Sequence, residues 1–304
     1  MGGNTYLSKD GKYFAINGKV LRYPIQPPTM ADGNSWYKGS ADRYDITEIR
    51  LLNNYTPVGT VTEQWNADEY NTGSIKCYIE GTKLTIAGDG SGKIMANKDS
   101  SHMFANFNQA TSILGLSILD TSKTINMLGM FYACWQPVTL DISNFDTSNV
   151  ENMEGMFEDC YHLTTPDLSN FNTSNVVNMS FMFASSMDSS LVKLDLSSFD
   201  VSKVINMSYI FGGCNSLKTL NLSNFDTSNV TNMKGVFSGC NQLTTVYVSD
   251  LWSTSKVTSS EYMFYDCESI VGATQYDSTK IDASTANYTT GYLTYKANQT
   301  ITEV

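Results

Sequence analysis

The residues of this 304-residue chain that could do chemistry are two histidines, six cysteines, one glycine-rich run before a lysine and a recurring aspartate. His102 and His162 sit in a repeat loop or at an element start. No G-x-S-x-G or H-E-x-x-H constellation accompanies them, so each reads as a structural or solvated histidine. Gly88-Asp-Gly-Ser-Gly-Lys93 resembles a phosphate loop only briefly. Ala87 stands where the first glycine belongs and Ile94 where Ser or Thr would hold magnesium, which leaves a glycine turn. Asp120, Asp146, Asp200 and Asp226 recur before each expected helix, with Asn172 breaking the row. Stacked carboxylates could bind calcium, but capping of the following element explains them without metal. Without a paired acid and base or a nucleophile site, no enzymatic role, cofactor or metal is expected.

The cysteines belong to a larger regularity. Phe104, Phe131, Phe157, Phe183, Phe211, Phe237 and Phe264 follow one another at intervals of 26 to 28 residues. Cys134, Cys160, Cys214, Cys240 and Cys267 each lie three residues after one of them, with Ser186 in the skipped unit and Phe107 in the first. A fixed period between 20 and 50 residues marks a repeat architecture, in which each unit stacks on the next. Five cysteines at one repeat position then face inward as buried free thiols, since helices at about 8–10 Å would hold neighbours beyond the reach of a disulfide.

The elements that position these residues follow from apolar spacing. Leu217, Leu220, Leu222 and Phe225 form an L-x-x-L-x-L-x-x-F line, read as a short strand with one buried face. Val230, Met233, Phe237 and Cys240 then recur at the spacing of one helix face, with Asp-Thr-Ser-Asn as its cap and Gly239 or Asn241 as its end. Methionines such as Met127, Met153, Met179, Met207 and Met233 fall on the inward face as core fillers. The expected fold is an α/β solenoid, a leucine-rich-repeat-like curved array with strand, turn and helix per repeat. Strands pack more closely than helices, which places the strands on a concave side.

Asn224-Phe-Asp-Thr-Ser-Asn-Val-Thr-Asn-Met233, followed by Val236-Phe237-x-x-Cys240, carries a family likeness. The array resembles the BspA-like leucine-rich-repeat surface proteins of bacteria, in the subgroup built on N-F-D-T-S-N-V-T-N-M-x-x-M-F-x-x-C. Local departures are Pro166 for a strand leucine, Asn172 for the turn aspartate, and Leu251-Trp-Ser-Thr-Ser-Lys-Val in the last unit. The resemblance implies display at the cell surface or outside the cell, and binding of a host or neighbouring-cell protein or glycan.

The flanks leave the pattern. Residues 1–98 read as a β-rich N-terminal domain, with one hairpin around Asn17-Gly18 and a second whose strands meet at Glu80-Gly81 and which caps the first repeat. Residues 99–270 hold six to seven repeats, and the tyrosine-rich stretch 271–304 reads as a β C-terminal cap. A net charge of −11 disfavours nucleic acid and anionic membrane surfaces, and no apolar run reaches transmembrane length. The first ten residues are polar, so a leader is either removed beforehand or never used. The second possibility motivates an alternative reading, a receptor-binding or decoration protein of a phage tail or tail-like particle.

Candidate ligand residues flank the buried leucines of each strand. One row is Gly115, Asp141, Asp167, Asp195, Asn221 and Tyr247; beside it run Ser117, Ser143, Ser169, Ser197, Ser223 and Ser249. A third row is Ile113, Thr139, Thr165, Lys193, Thr219 and Thr245. Such a concave sheet of carboxylates and hydroxyls suits a hydroxyl-rich glycan or a basic protein surface.

Overall fold

The computed structural model describes residues 29–136, 139–186 and 189–298, together with the backbone of three short strands at 5–7, 14–16 and 19–21. Seven rungs, named here by the phenylalanine of each from Phe104 to Phe264, stack along one axis. Backbone bridges run parallel from Asp99 through Asn126, Asn152, Asn178, Asn206 and Asn232 to Ser259, one residue per rung. Inside them the phenylalanine rings form a continuous pile. Successive centroids lie 5.5, 5.7, 5.8, 6.1, 6.0 and 5.4 Å apart, with the rings near parallel.

The expected helix in each repeat is not there. Among the described residues the only helical segments are three 3-10 turns, Arg43–Asp45, Leu116–Ile118 and Ala283–Thr285. The α/β solenoid with one helix per repeat is therefore wrong for this chain. In the rung of Phe237 the segment is instead three overlapping β-turns, in which Val236 N donates to Met233 O, Ser238 N to Gly235 O and Cys240 N to Phe237 O. The alternate N–H groups, of Met233, Gly235, Phe237 and Gly239, donate to Ser259, Glu261, Met263 and Tyr265 of the next rung at 2.7–3.0 Å. An α-helix closes its hydrogen bonds within itself, whereas this wall turns half of them outward to hold its neighbour. The left-handed backbone at Gly235 (φ 60) and Gly239 (φ 77) is incompatible with a helix interior. With the helices gone, the reason for a concave strand side goes too. The opposite wall is called the strand side below.

Strands on that side are short: Ser112–Leu114, Thr139–Leu140, Thr219–Asn221 and Thr245–Val248. Pro166 has no N–H to donate. Between the Phe157 and Phe183 rungs the backbone pairing on this side reduces, among the described residues, to Ser190 N on Tyr161 O and Val192 N on Thr164 O.

The two ends of the stack are closed by different means. Glu48–Leu52 pairs parallel with Ser112–Leu114 on one side and with Lys83–Ala87 on the other. This places the N-terminal strands and the first two rungs in one six-stranded sheet. The hairpin Lys76–Glu80/Lys83–Ala87 forms as the alternation suggests, but Glu48–Leu52, not that hairpin, meets the first rung. Strands Phe14–Ile16 and Lys19–Leu21 pair antiparallel; the Asn17-Gly18 turn between them lies outside the described residues.

On the turn side, the carbonyls that a preceding rung would occupy find donors from residues 33–43. Gly33 N bonds Asp99 O at 3.0 Å, the fully buried Trp36 donates its indole N–H to Met103 O at 2.9 Å, and Arg43 Nη1 reaches Ala105 O at 3.1 Å. At the far end Phe264 N donates to Ile281 O, and Tyr292 meets the last phenylalanine edge-on at 5.2 Å. Thr294–Tyr295 adds a final parallel strand to Thr245–Val248. No helix among the described residues is long and apolar enough to cross a membrane.

Candidate ligand-binding site

A site on a repeat protein must be separated from the groups that build the repeat. Nearly every polar residue of the N-F-D-T-S-N-V-x-N-M motif is consumed by stacking. The first asparagine reaches back to earlier-rung carbonyls, as Asn224 Nδ2 does to Leu196 O and Phe199 O at 3.0 and 2.8 Å. Each aspartate caps its own turn: Asp120, Asp146, Asp200 and Asp226 accept from the N–H two residues on at 2.9–3.0 Å, and Asn172 does the same at 3.1 Å. The row accordingly tolerates Asn172, because the cap uses one carbonyl-type oxygen and no charge. Among the described residues no group of three or more His, Cys, Asp and Glu side chains is placed to hold a metal ion.

The threonine that follows is the most economical member. Thr147 is buried, its hydroxyl donates to Asn172 O at 2.9 Å, and it accepts from Asn172 N at 2.8 Å. Thr121, Thr173 and Thr227 make the same pair of bonds to the next rung, and Val201, lacking a hydroxyl, omits them. The later asparagine links rungs in the same way, Asn149, Asn175 and Asn229 donating to Ser122, Ser148 and Ser202.

The thiols also belong to the scaffold. All six cysteines are free and buried. The five repeat thiols each donate to the phenylalanine carbonyl of the preceding rung, from Cys134 on Phe104 O at 3.2 Å to Cys267 on Phe237 O at 2.8 Å. Helical spacing does not keep them apart, since the described residues of the repeats hold no α-helix; the inward hydrogen bond fixes each thiol in place. Burial pushes the Cys134 and Cys214 thiols up to about 12. Native protein is therefore expected to resist iodoacetamide at pH 8 and to alkylate at all six positions once unfolded, as read by mass spectrometry. The linkage has a definite sign. The folded state holds protons that the unfolded chain releases near the ordinary thiol value, so this contribution to stability declines as pH rises from about 9 towards 12.

Residues outside the motif are left to meet a ligand. On the strand side Asp141, Asp167, Asp195, Asn221, Lys193, Ser143 and Ser197 are exposed, and Tyr247 is half-exposed. Asp141 accepts from Ser143 Oγ at 2.7 Å, Asp167 from Ser169 Oγ at 2.7 Å, and Asp195 from Ser197 N at 3.0 Å, always through Oδ1. The serine bonds hold the Asp167 and Asp195 carboxyls below the usual carboxylate range. Three members of the expected rows do not reach the surface: Ile113, Ser223 and Ser249 are buried. Ser249 turns inward to donate to Ser223 O. The backbone of Thr139 pairs with Ser112, while its side chain lies outside the described residues. Lys296 of the C-terminal strand segment sits 5.4 Å from the Tyr247 ring centre, which removes that end of the row from free solvent.

The two histidines stay apart from this row. His102, its pKa lowered chiefly by burial, lies edge-on to Tyr132 and against Gly129, and His162 is exposed. The Gly88–Lys93 run is a turn in which Gly92 N is held by Asn53 Oδ1.

Sequence reasoning missed the turn side. Each rung has a left-handed backbone position two residues before its phenylalanine. It is Gly129, Gly155 or Gly235 in three rungs, but His102, Phe181, Tyr209 and Tyr262 in the others, at φ 53 to 60. A bulky side chain there costs about 1–2 kcal/mol relative to glycine. Phe181 and Tyr209 stack at 5.1 Å, and Tyr209 lies over Gly235, where a Cβ would collide with its ring.

The family described as "Mycoplasma protein of unknown function, DUF285" matches residues 98–198 and 185–302. The chain belongs to this family. Together the two matches take in all seven rungs and the closing C-terminal segment, and they leave the N-terminal strands outside. Membership in DUF285 agrees with the BspA-like character of the repeats. No curated protein and no solved structure matches the chain.

Proposed function

We propose that this DUF285 chain is a non-enzymatic binding module, secreted or held at the cell surface, that grips an extracellular protein or glycan with its strand side. We place its repeats in the N-F-D-T-S-N-V-T-N-M-x-x-M-F-x-x-C subgroup of BspA-like proteins. The observation that supports this reading is the row Asp141, Asp167 and Asp195. Each carboxylate uses Oδ1 within its own turn, stays exposed, and repeats at one rung's spacing. The motif threonines and asparagines, by contrast, have their polar groups committed to neighbouring rungs. A periodic row of oriented carboxylates with serine hydroxyls beside them matches a periodic ligand, because each rung can meet one unit of it.

The test is retention of fluorescently labelled protein on mucin, on matrix-protein coatings and on intact bacterial cells. Combined Asp141→Asn, Asp167→Asn and Asp195→Asn substitution is expected to lower retention at least tenfold with an unchanged melting midpoint. Equal retention of variant and parent on every surface would contradict the assignment to this face.

A further inference from the structure

The second surface feature is a trough on the turn side, of about 310 Å³, crossing five rungs at right angles to the chain. It exists because two neighbouring columns of the repeat become small in three successive rungs. The first column reads Tyr132, Glu158, Ala184, Gly212, Ser238 and Tyr265; the second reads Asp159, Ser185, Gly213, Gly239 and Asp266. The floor is thus Ala184, Gly212 and Ser238 beside Ser185, Gly213 and Gly239. Phe181 and Tyr209 stand along its flank, Glu158 closes one end, and Tyr265 with Asp266 closes the other. Two observations separate this trough from incidental surface. The aromatic flank occupies left-handed positions that glycine fills in other rungs, and the lining contains carboxylates with no lysine or arginine among them.

The ends lack partners for their charge. None of the three ion pairs among the described residues includes Glu158, Asp159 or Asp266. Glu158 is raised to about 7 by burial and by the neighbouring Asp159 and Glu154 carboxylates, so a cation placed there relieves an existing repulsion. Lys234, the nearby cation, is turned to the Tyr262 ring at 5.9 Å and does not line the trough. A floor of small residues leaves room for a backbone, aromatic rings attract alkyl-ammonium or guanidinium groups, and end carboxylates complete the charge match. Four rung intervals of about 4.8 Å span the length of an extended segment of roughly six residues.

We propose that this trough is a second binding site, distinct from the strand-side row, and that it takes an extended, lysine- or arginine-bearing segment of a partner protein. The basic side chains lie towards Glu158 and Asp266, and the backbone runs over the glycines beside Phe181 and Tyr209.

The probe is the blocked hexapeptide acetyl-Lys-Gly-Ser-Gly-Ser-Lys-amide, with its doubly acetyl-lysine counterpart as control, titrated by calorimetry at low salt. The lysine peptide is expected to bind at least tenfold more tightly than the control. Ser238→Tyr installs the residue that Tyr132 and Tyr265 place at the same column, so the repeat accommodates it while the trough fills. It is expected to abolish peptide binding without altering strand-side retention. Phe181→Gly with Tyr209→Gly removes the aromatic flank, and is expected to keep or raise the melting midpoint while weakening the peptide at least tenfold. Equal binding of charged and acetylated peptides would overturn the proposal. So would undiminished binding to folded Ser238→Tyr protein, or binding of a neutral oligosaccharide in place of the peptide. Loss of retention in the strand-side aspartate variant with peptide binding intact would leave the two sites separately established.

Discussion

Phe211→Ala is expected to lower the unfolding free energy by about 3–5 kcal/mol, the loss typical of truncating a buried aromatic core residue. Phe211 is fully buried and its ring stacks at 6.1 Å on Phe183 and at 6.0 Å on Phe237, so one substitution removes two inter-rung contacts. In a repeat stack, stability is a sum of rung terms and nearest-neighbour terms. The loss therefore falls on the two interfaces of the Phe211 rung and divides the molecule there. Trp36 and Trp252 lie on opposite sides of that cut. Urea titration read by tryptophan fluorescence should give a lower and broader transition than in the parent. A loss below 1 kcal/mol, with one sharp transition, would show that the ring pile contributes little.

Arg43→Ala is the second large effect, expected at about 2–4 kcal/mol from lost hydrogen bonds to a charged donor. Its guanidinium donates to His102 O at 3.0 Å and Ala105 O at 3.1 Å. It lies 5.0–5.6 Å from the ring centres of Tyr37, Phe107 and Trp36. No carboxylate pairs with it among the described residues, so turn carbonyls and ring faces take the place of a counter-ion. Removing it strips Ala105 O of its donor and loosens that end of the first rung, while Gly33 and Trp36 keep their bonds. Hydrogen exchange should quicken first in residues 99–110, with the last rungs unaffected; uniform acceleration along the stack would contradict an end-capping role.

How much of this was legible follows from what each signal measures. The spacing of Phe104 to Phe264 fixed the rung, and the inward position of the cysteines and methionines came with it, because burial repeats whatever the backbone does. The helix was misread for the same reason. Val230, Met233, Phe237 and Cys240 mark one inward face, and consecutive turns of three to four residues give that face the same spacing as a helix. Gly235 and Gly239 inside the run were the contrary signal, since glycine weakens a helix interior. The segment is also too short to form a helix without strong tertiary support.

The strand-side exposure of Asp141, Asp167 and Asp195 followed from alternation. The burial of Ser223 and Ser249 did not, because the Ser249 hydroxyl is drawn to Ser223 O of the neighbouring rung, a contact that alternation does not register. The trough was invisible along the chain. It appears only when Ala184, Gly212 and Ser238, spaced 26 and 28 residues apart, are set side by side.

The central claim is that motif residues build the stack while residues outside the motif meet the ligand. Measuring melting midpoint and surface retention together for two variants tests it most directly. Thr147→Val deletes a hydroxyl that makes two bonds to Asn172 and is expected to cost about 1–3 kcal/mol, with retention of the folded protein unchanged. The Asp141, Asp167 and Asp195 to asparagine variant is expected to keep its midpoint and lose retention. The account would be contradicted if folded Thr147→Val protein lost retention, or if the asparagine variant kept it.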